Sequence, residues 1–96
     1  MNLDTKTEEF YKRLKIQLAG DTSWPSVYLY KFIVPSGLGK VAKIETIFDN
    51  TNAAISIRDS SKGTYTSVSI KVIMDSPDSV IKKYIEVSKV EGVISL

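Results

Sequence analysis

The chain has no histidine and no cysteine. That removes the commonest general base, the commonest transition-metal ligand, and any thiolate or disulfide chemistry. Lysine, arginine, hydroxyl, tyrosine and carboxylate side chains remain. No two carboxylates, and no nucleophile with a base, fall at a spacing that a known reaction class requires. Asp59, Asp75 and Asp78 stand where turns and helix caps need a short acceptor. The reading is therefore non-enzymatic, with no metal and no cofactor. The polar residues that do group are Lys31, Arg58, Lys62, Tyr65 and Lys71. Cations around one tyrosine can give an anionic ligand or an acidic partner charge-assisted hydrogen bonds.

One motif suggests a different chemistry. Gly37-Leu38-Gly39-Lys40-Val41-Ala42 matches the loose pattern G-x-G-x-x-A, and Asp59 lies 20 residues beyond Gly39. A dinucleotide site needs that turn between two adjacent parallel strands. Here the polar turn Arg58-Asp59-Ser60-Ser61-Lys62-Gly63 joins two alternating runs into a hairpin. The second run then lies antiparallel to the first and inserts beside the earliest strand, so the motif fails its structural requirement. It is not a P-loop either, since Val34 stands at the first glycine position and Val41 at the Ser/Thr position. The turn could still present the backbone N–H groups of Gly37, Leu38 and Gly39 to a carboxylate at a helix start. Lys62 and Gly63, with Ser60 and Ser61, could form a small anion site in the hairpin. A geometric turn is the simpler account of both.

The elements that position these residues follow from periodicity. Val68, Ile70, Val72 and Met74 alternate with Tyr65, Ser67, Ser69 and Lys71, the pattern of a strand with one packed face and one open face. Ala53–Arg58 alternates as its hairpin partner, with Gly63 able to take positive φ in the turn. Val27–Val34 is apolar almost throughout, as a central strand would be. Leu38, Val41, Ala42, Ile44, Ile47 and Phe48 repeat at helical spacing. Ser76-Pro77-Asp78 is a helix start, and Val80, Ile81, Tyr84 and Val87 form its stripe before Gly92 breaks the helix. Val93–Leu96 closes the chain as a short strand. Ahead of all these, Phe10, Tyr11, Leu14 and Leu18 mark a leading helix over about 5–19, capped by Thr5 or Thr7.

The order is a helix followed by βαββαβ. The expected fold is an α+β, ferredoxin-like split sandwich with an antiparallel sheet in the order 4-1-3-2 and an extra N-terminal helix. The expected division is a leader over 1–23 and the α+β domain over 24–96. By parity, Leu29, Lys31, Ile33, Ser56, Arg58, Tyr65, Ser67, Ser69 and Lys71 share the sheet face turned away from the two later helices. The outward aliphatics Leu29 and Ile33 predict that the leading helix covers this face through Phe10, Leu14 and Leu18.

The segment Ser60-Ser61-Lys62-Gly63-Thr64-Tyr65 through Ser67-Val68-Ser69-Ile70 resembles the signature of the YbeD-like family of small bacterial proteins. Trp24-Pro25, Tyr30-Lys31-Phe32, Val80–Tyr84 and Val93–Leu96 follow in the same order. The resemblance spans about 24–96 and implies a fold like that of ACT regulatory domains. It implies no catalytic residue and no settled activity. It also likens Pro35-Ser36-Gly37-Leu38-Gly39 to the effector-binding turn of ACT domains, though the acidic residue that usually precedes that turn is missing.

A net charge of +2 is too small to argue for nucleic acid or an anionic membrane. No apolar run approaches the roughly 18 residues of a membrane span. With no signal-peptide pattern at the N-terminus, a cytoplasmic location is expected. The function expected is a regulatory or binding module. Its partner would be a protein surface, a small anionic effector or a second copy. An RNA-binding sheet of this topology would need stacked aromatics, and Tyr65 alone qualifies, so weak nucleic-acid binding through the open sheet face is one alternative; a small enzyme acting with only Ser, Tyr, Lys and carboxylates is the other.

Overall fold

The computed structural model describes residues 5–21, 23–37 and 39–96. Its framework is one long antiparallel pair. Strand β1 (Ser26–Pro35) runs against β3 (Tyr65–Met74), with Tyr30 opposite Ile70 and Lys31 opposite Ser69. Strand β2 (Ala54–Asp59) adds to the outer side of β3, and β4 (Ile94–Ser95) to the outer side of β1. The sheet order β2-β3-β1-β4 is the expected one. Strands β1 and β2 are not neighbours, which removes the parallel pair that a dinucleotide site requires.

Alternation sorts the sheet into two faces. Tyr30, Phe32 and Val34 of β1 and Val68, Ile70, Val72 and Met74 of β3 point to one side and are buried. Helix α2 (Lys40–Ile47) adds Ile44, and Phe48 just beyond it also packs inward. Helix α3 (Pro77–Ser88) adds Val80 and Val87. The start of α3 follows from its residues. The Ser76 side chain accepts from the Ser79 N–H, the Ser79 hydroxyl accepts from the Ser76 N–H, and Pro77 fills a position whose N–H would lack a helical partner.

The core has an aromatic centre. Tyr30 packs edge-on against Tyr28, Phe48 and Tyr84, with ring centroids 4.7, 5.1 and 4.9 Å away. The Tyr30 hydroxyl donates to the Val80 carbonyl at 3.0 Å, and the Tyr28 and Tyr84 hydroxyls meet at 2.8 Å. These bonds satisfy polar atoms that would otherwise be costly to bury. Burial pushes the Tyr30 phenol well above its usual range. It does the same for Tyr84, helped by the hydrogen bond to Tyr28.

The leading helix corrects one expectation. Helix α1 (Thr5–Asp21) does not lie over the open sheet face; it packs beside α3. Lys15 bridges to Asp78 at 2.8 Å, and Trp24 Nε1 donates to the Leu18 carbonyl at 3.1 Å, with Leu18 and Trp24 against the core. Tyr11 comes near Ile81 and Ile85 of α3. Phe10, expected on the sheet, is 55% exposed. Thr5 and Thr7 both fall inside α1 rather than capping it. The physical reason lies in the two candidate seats. The flank of α3 offers half-buried aliphatics and, in Asp78, a carboxylate for Lys15, whereas the sheet face would set Lys31, Arg58 and Lys71 against the cations of α1. The opposite-charge pair favours the first seat.

Candidate functional site

The open face is uncovered, and its layout can be read from the strand register. One row across the sheet holds Ala54, Lys71 and Leu29; the next holds Ser56, Ser69 and Lys31; the third holds Arg58, Ser67 and Ile33, with Ile94 beyond it. Leu96, whose N–H donates to the Lys31 carbonyl at 2.9 Å, completes the β4 side. Hydroxyls, Lys71 and Arg58 thus occupy the β2–β3 half, while Leu29, Ile33, Ile94 and Leu96 line the β1–β4 half around Lys31. Leu29 is 69% exposed and Leu96 65%. Exposed aliphatics this close together on one surface mark an interaction site more often than a solvated one.

Four of the five residues expected at the site come together here. Lys31 and Lys71 line a hollow of about 350 Å³ floored by Leu29, Ala54 and Leu96, with Ser56 and Ser69 between them. Arg58 and Tyr65 line a neighbouring hollow of about 180 Å³ with Ile33 and Ser67. The side chains of Lys31, Arg58 and Lys71 make no hydrogen bond or ion pair among the described residues. Lys62 lies apart, at the exposed tip of the hairpin. That turn is occupied by its own geometry: the Gly63 N–H donates to the Ser60 carbonyl, and Ser60 Oγ accepts from the Tyr65 N–H. Gly63 sits at φ 69°, the left-handed conformation that the turn requires.

The glycine turn before α2 is described in part. Gly37 and Gly39 have φ of 87° and 69°, while Leu38 lies outside the described residues. Gly39 stands at the N-cap without a side-chain hydrogen bond. Lys40 donates to the Glu91 carbonyl at 2.7 Å, which ties the turn to the loop after α3.

Sequence reasoning missed a buried polar relay beside this turn. Thr66 sits on the packed face and donates to Asp59 Oδ1 at 2.8 Å. Its proton is thereby committed, so the Ser36 hydroxyl, 2.8 Å away, is the donor of the second bond. The signal was present in the alternation, since Thr66 precedes Val68 in the inward row and pairs with Asp59 across the hairpin. The relay pins the β1–α2 turn to the hairpin. A further hollow, of about 410 Å³, lies beside the loop after α2 and includes Asn50, Lys82, Lys83 and Glu86. Lys83 there is already engaged by the Ile47 carbonyl and lies 3.7 Å from Glu86. Lys31, Arg58 and Lys71, in contrast, share the open sheet face with exposed aliphatics.

A four-stranded antiparallel sheet with its helices on one side, in this order, defines an ACT-like, ferredoxin-like domain. Among solved structures, the chain is similar to the ACT domain of a GTP pyrophosphokinase from Chlorobium tepidum, with a TM-score of 0.53 and 16% identity over 74% of this chain and all of that one. At that identity the likeness concerns the fold. No curated protein matches the chain. The family model described as protein of unknown function (DUF493) matches residues 21–96, and the chain belongs to that family, the YbeD-like group that its hairpin and strand residues resemble.

Proposed function

We propose that this protein is a non-catalytic, cytoplasmic binding domain, regulatory in role, whose open sheet face receives an anionic partner. The observation that carries this reading is the set of three side chains, Lys31, Arg58 and Lys71, without a hydrogen-bond or ion-pair partner among the described residues, on a face that also exposes aliphatics. Folding alone gives no reason to collect cations there. An acceptor surface would gain charge-assisted hydrogen bonds from them and from the Ser56, Ser67 and Ser69 hydroxyls. The lack of histidine and cysteine, with the buried tyrosines held neutral, supports a role without chemistry. Among the described residues no helix is long and apolar enough to cross a membrane.

The test is a thermal-shift panel of anions, from inorganic phosphate and polyphosphate to polyglutamate, on wild type and on a Lys31→Ala/Lys71→Ala variant. A species that binds only the native state must raise the apparent melting temperature. The expected result is stabilisation of wild type that is lost in the double variant and in high salt. Stabilisation that survives in the double variant but disappears with Gly39→Ala would move the site to the turn before α2.

A further inference from the structure

The arrangement of charge and apolar surface on the open face narrows the kind of partner. We infer that it docks an amphipathic helix from another protein, one that presents an acidic stripe beside an apolar stripe. This deepens the binding reading above and rests on it.

Three features carry the inference. First, the face carries two kinds of surface. Leu29, Ile33, Ile94 and Leu96 form an apolar patch over β1 and β4 that Lys31, on β1 between Leu29 and Ile33, interrupts, and Lys71 and Arg58 lie beside it on β3 and β2. A small anion would use the cations and leave the aliphatics wet. A partner with an acidic and an apolar stripe uses both.

Second, the cations are spread along the sheet rather than aimed at one point. Lys71 stands four residues along β3 from the residue opposite Arg58. With about 3.3 Å per residue and 4.8 Å between strands, their Cα atoms are roughly 14 Å apart. That spacing is about two and a half turns of a helix at about 5.4 Å each, so carboxylates along one side of a helix reach both cations, whereas a single phosphate or carboxylate does not. From Val27 to Ile33 the outward residues of β1, aliphatic except for Lys31, run about 20 Å at strand rise, the length of about 13 helical residues.

Third, the alternative occupants fit poorly. A second copy laid face to face would set the same three cations against each other. Among the described residues Asp59, beside Arg58, already accepts from Thr66. The chain's own α1 carries four cations against three carboxylates and is seated on α3. The opposite face of this sheet is itself closed by two amphipathic helices, α2 and α3, so a helix is the element that fits the bare one.

The experiment is selection of a displayed library of random peptides about 15 residues long, some four helical turns, on the full-length protein. Anisotropy of the best binder is then measured on wild type, Leu29→Ser and Lys31→Ala/Lys71→Ala. All three positions are exposed, so the variants keep the fold. The expected consensus places Asp or Glu beside Leu, Ile or Phe at helical spacing. Affinity should fall by about tenfold or more in each variant, the scale of one charge-assisted contact, and should fall between about 50 and 500 mM salt. A consensus without acidic residues, binding indifferent to both variants, or no enrichment would overturn the inference. So would a dimer in sedimentation that Leu29→Ser dissociates, since the face would then belong to a second copy. If peptides fail while an inorganic anion stabilises wild type and not the double lysine variant, the helix partner falls and the binding face stands. If the anion fails as well, both fall.

Discussion

Whether the sheet face is free in solution can be measured by comparing two aliphatic residues on opposite sides of the same sheet. Ile70 on β3 is 1% exposed and packs at the centre of the core, whereas Leu29 on β1 is 69% exposed. Full burial of a leucine is worth about 1.5–3 kcal/mol. Leu29 keeps about a third of its surface covered, so its burial contributes roughly 0.5–1 kcal/mol on that scale. Alanine retains the β-carbon, and Leu29→Ala should therefore cost less than about 1 kcal/mol. Ile70→Ala removes the same class of side chain from a site that cannot fill with water, and should cost about 2–5 kcal/mol through lost transfer energy and the cavity left behind. Urea melts give both values from the shift in midpoint at constant slope. The reasoning fails if Leu29→Ala costs more than about 2 kcal/mol, the core range. The face would then be covered in solution. Repeating the melt across protein concentration would say whether a second copy does the covering, because an oligomer's stability depends on protomer concentration.

Other consequences follow from the packing. Tyr30 keeps its proton in the folded protein, while in the unfolded chain it ionises near pH 10. Its contribution is intact below pH 10 and is lost as pH climbs beyond, by at most about 1.4 kcal/mol per pH unit; Tyr84, raised likewise by burial and its bond to Tyr28, contributes with the same sign. Melts from pH 9 to 11 should show the decline, a smaller one in Tyr30→Phe, and a flat profile would contradict the buried aromatic centre. A β-carbon at Gly92, which has φ 81°, would meet Pro35 Cγ at 2.9 Å, so Gly92→Ala should cost about 1–3 kcal/mol in the same melts, and a neutral result would mean that the loop after α3 is not held against β1. Removal of residues 1–21 should lower the melting temperature by uncovering Ile81 and Ile85, yet leave the amide signals of Lys31 and Ser69 in place in an NMR spectrum; if those signals moved and the α3 signals did not, α1 would lie on the sheet after all.

What the sequence makes legible depends on whether a residue's neighbours are set by its own element. Alternation in Tyr65–Met74 assigns each side chain to a face without any knowledge of the partner strand, and the hairpin turn then dictates β2. The cap at Ser76 is equally local, needing only Ser76, Pro77 and Ser79. The position of α1 is not local. Its stripe of Phe10, Tyr11, Leu14 and Leu18 shows that the helix has an apolar side, but the outer flank of α3 and the open sheet face both offer aliphatics to meet it. The observed seat adds the Lys15–Asp78 pair and the Trp24–Leu18 hydrogen bond, and these exist only once α1 lies beside α3. The tyrosine cluster was hidden for a related reason. In a run as apolar as Val27–Val34, little in the pattern says that Tyr28 and Tyr30 turn toward Tyr84, a residue 54 positions beyond Tyr30.

The cations on the sheet explain how the face can stay bare without aggregating. An uncovered antiparallel sheet with Leu29, Ile33, Ile94 and Leu96 on its surface would ordinarily associate with another copy of itself. Lys31 and Lys71 stand among those aliphatics near the middle of the face rather than at its margin, and outward charges at such positions oppose face-to-face pairing of identical surfaces. The same charges cost an acidic partner nothing and reward it, so one set of residues selects against self-association and for a partner of opposite sign. Exchanging both lysines for leucine separates the two effects. The exchange should add self-association in sedimentation and abolish salt-sensitive binding together. If the double leucine variant remained monomeric, the cations would not be what keeps copies apart, and their placement would need another cause.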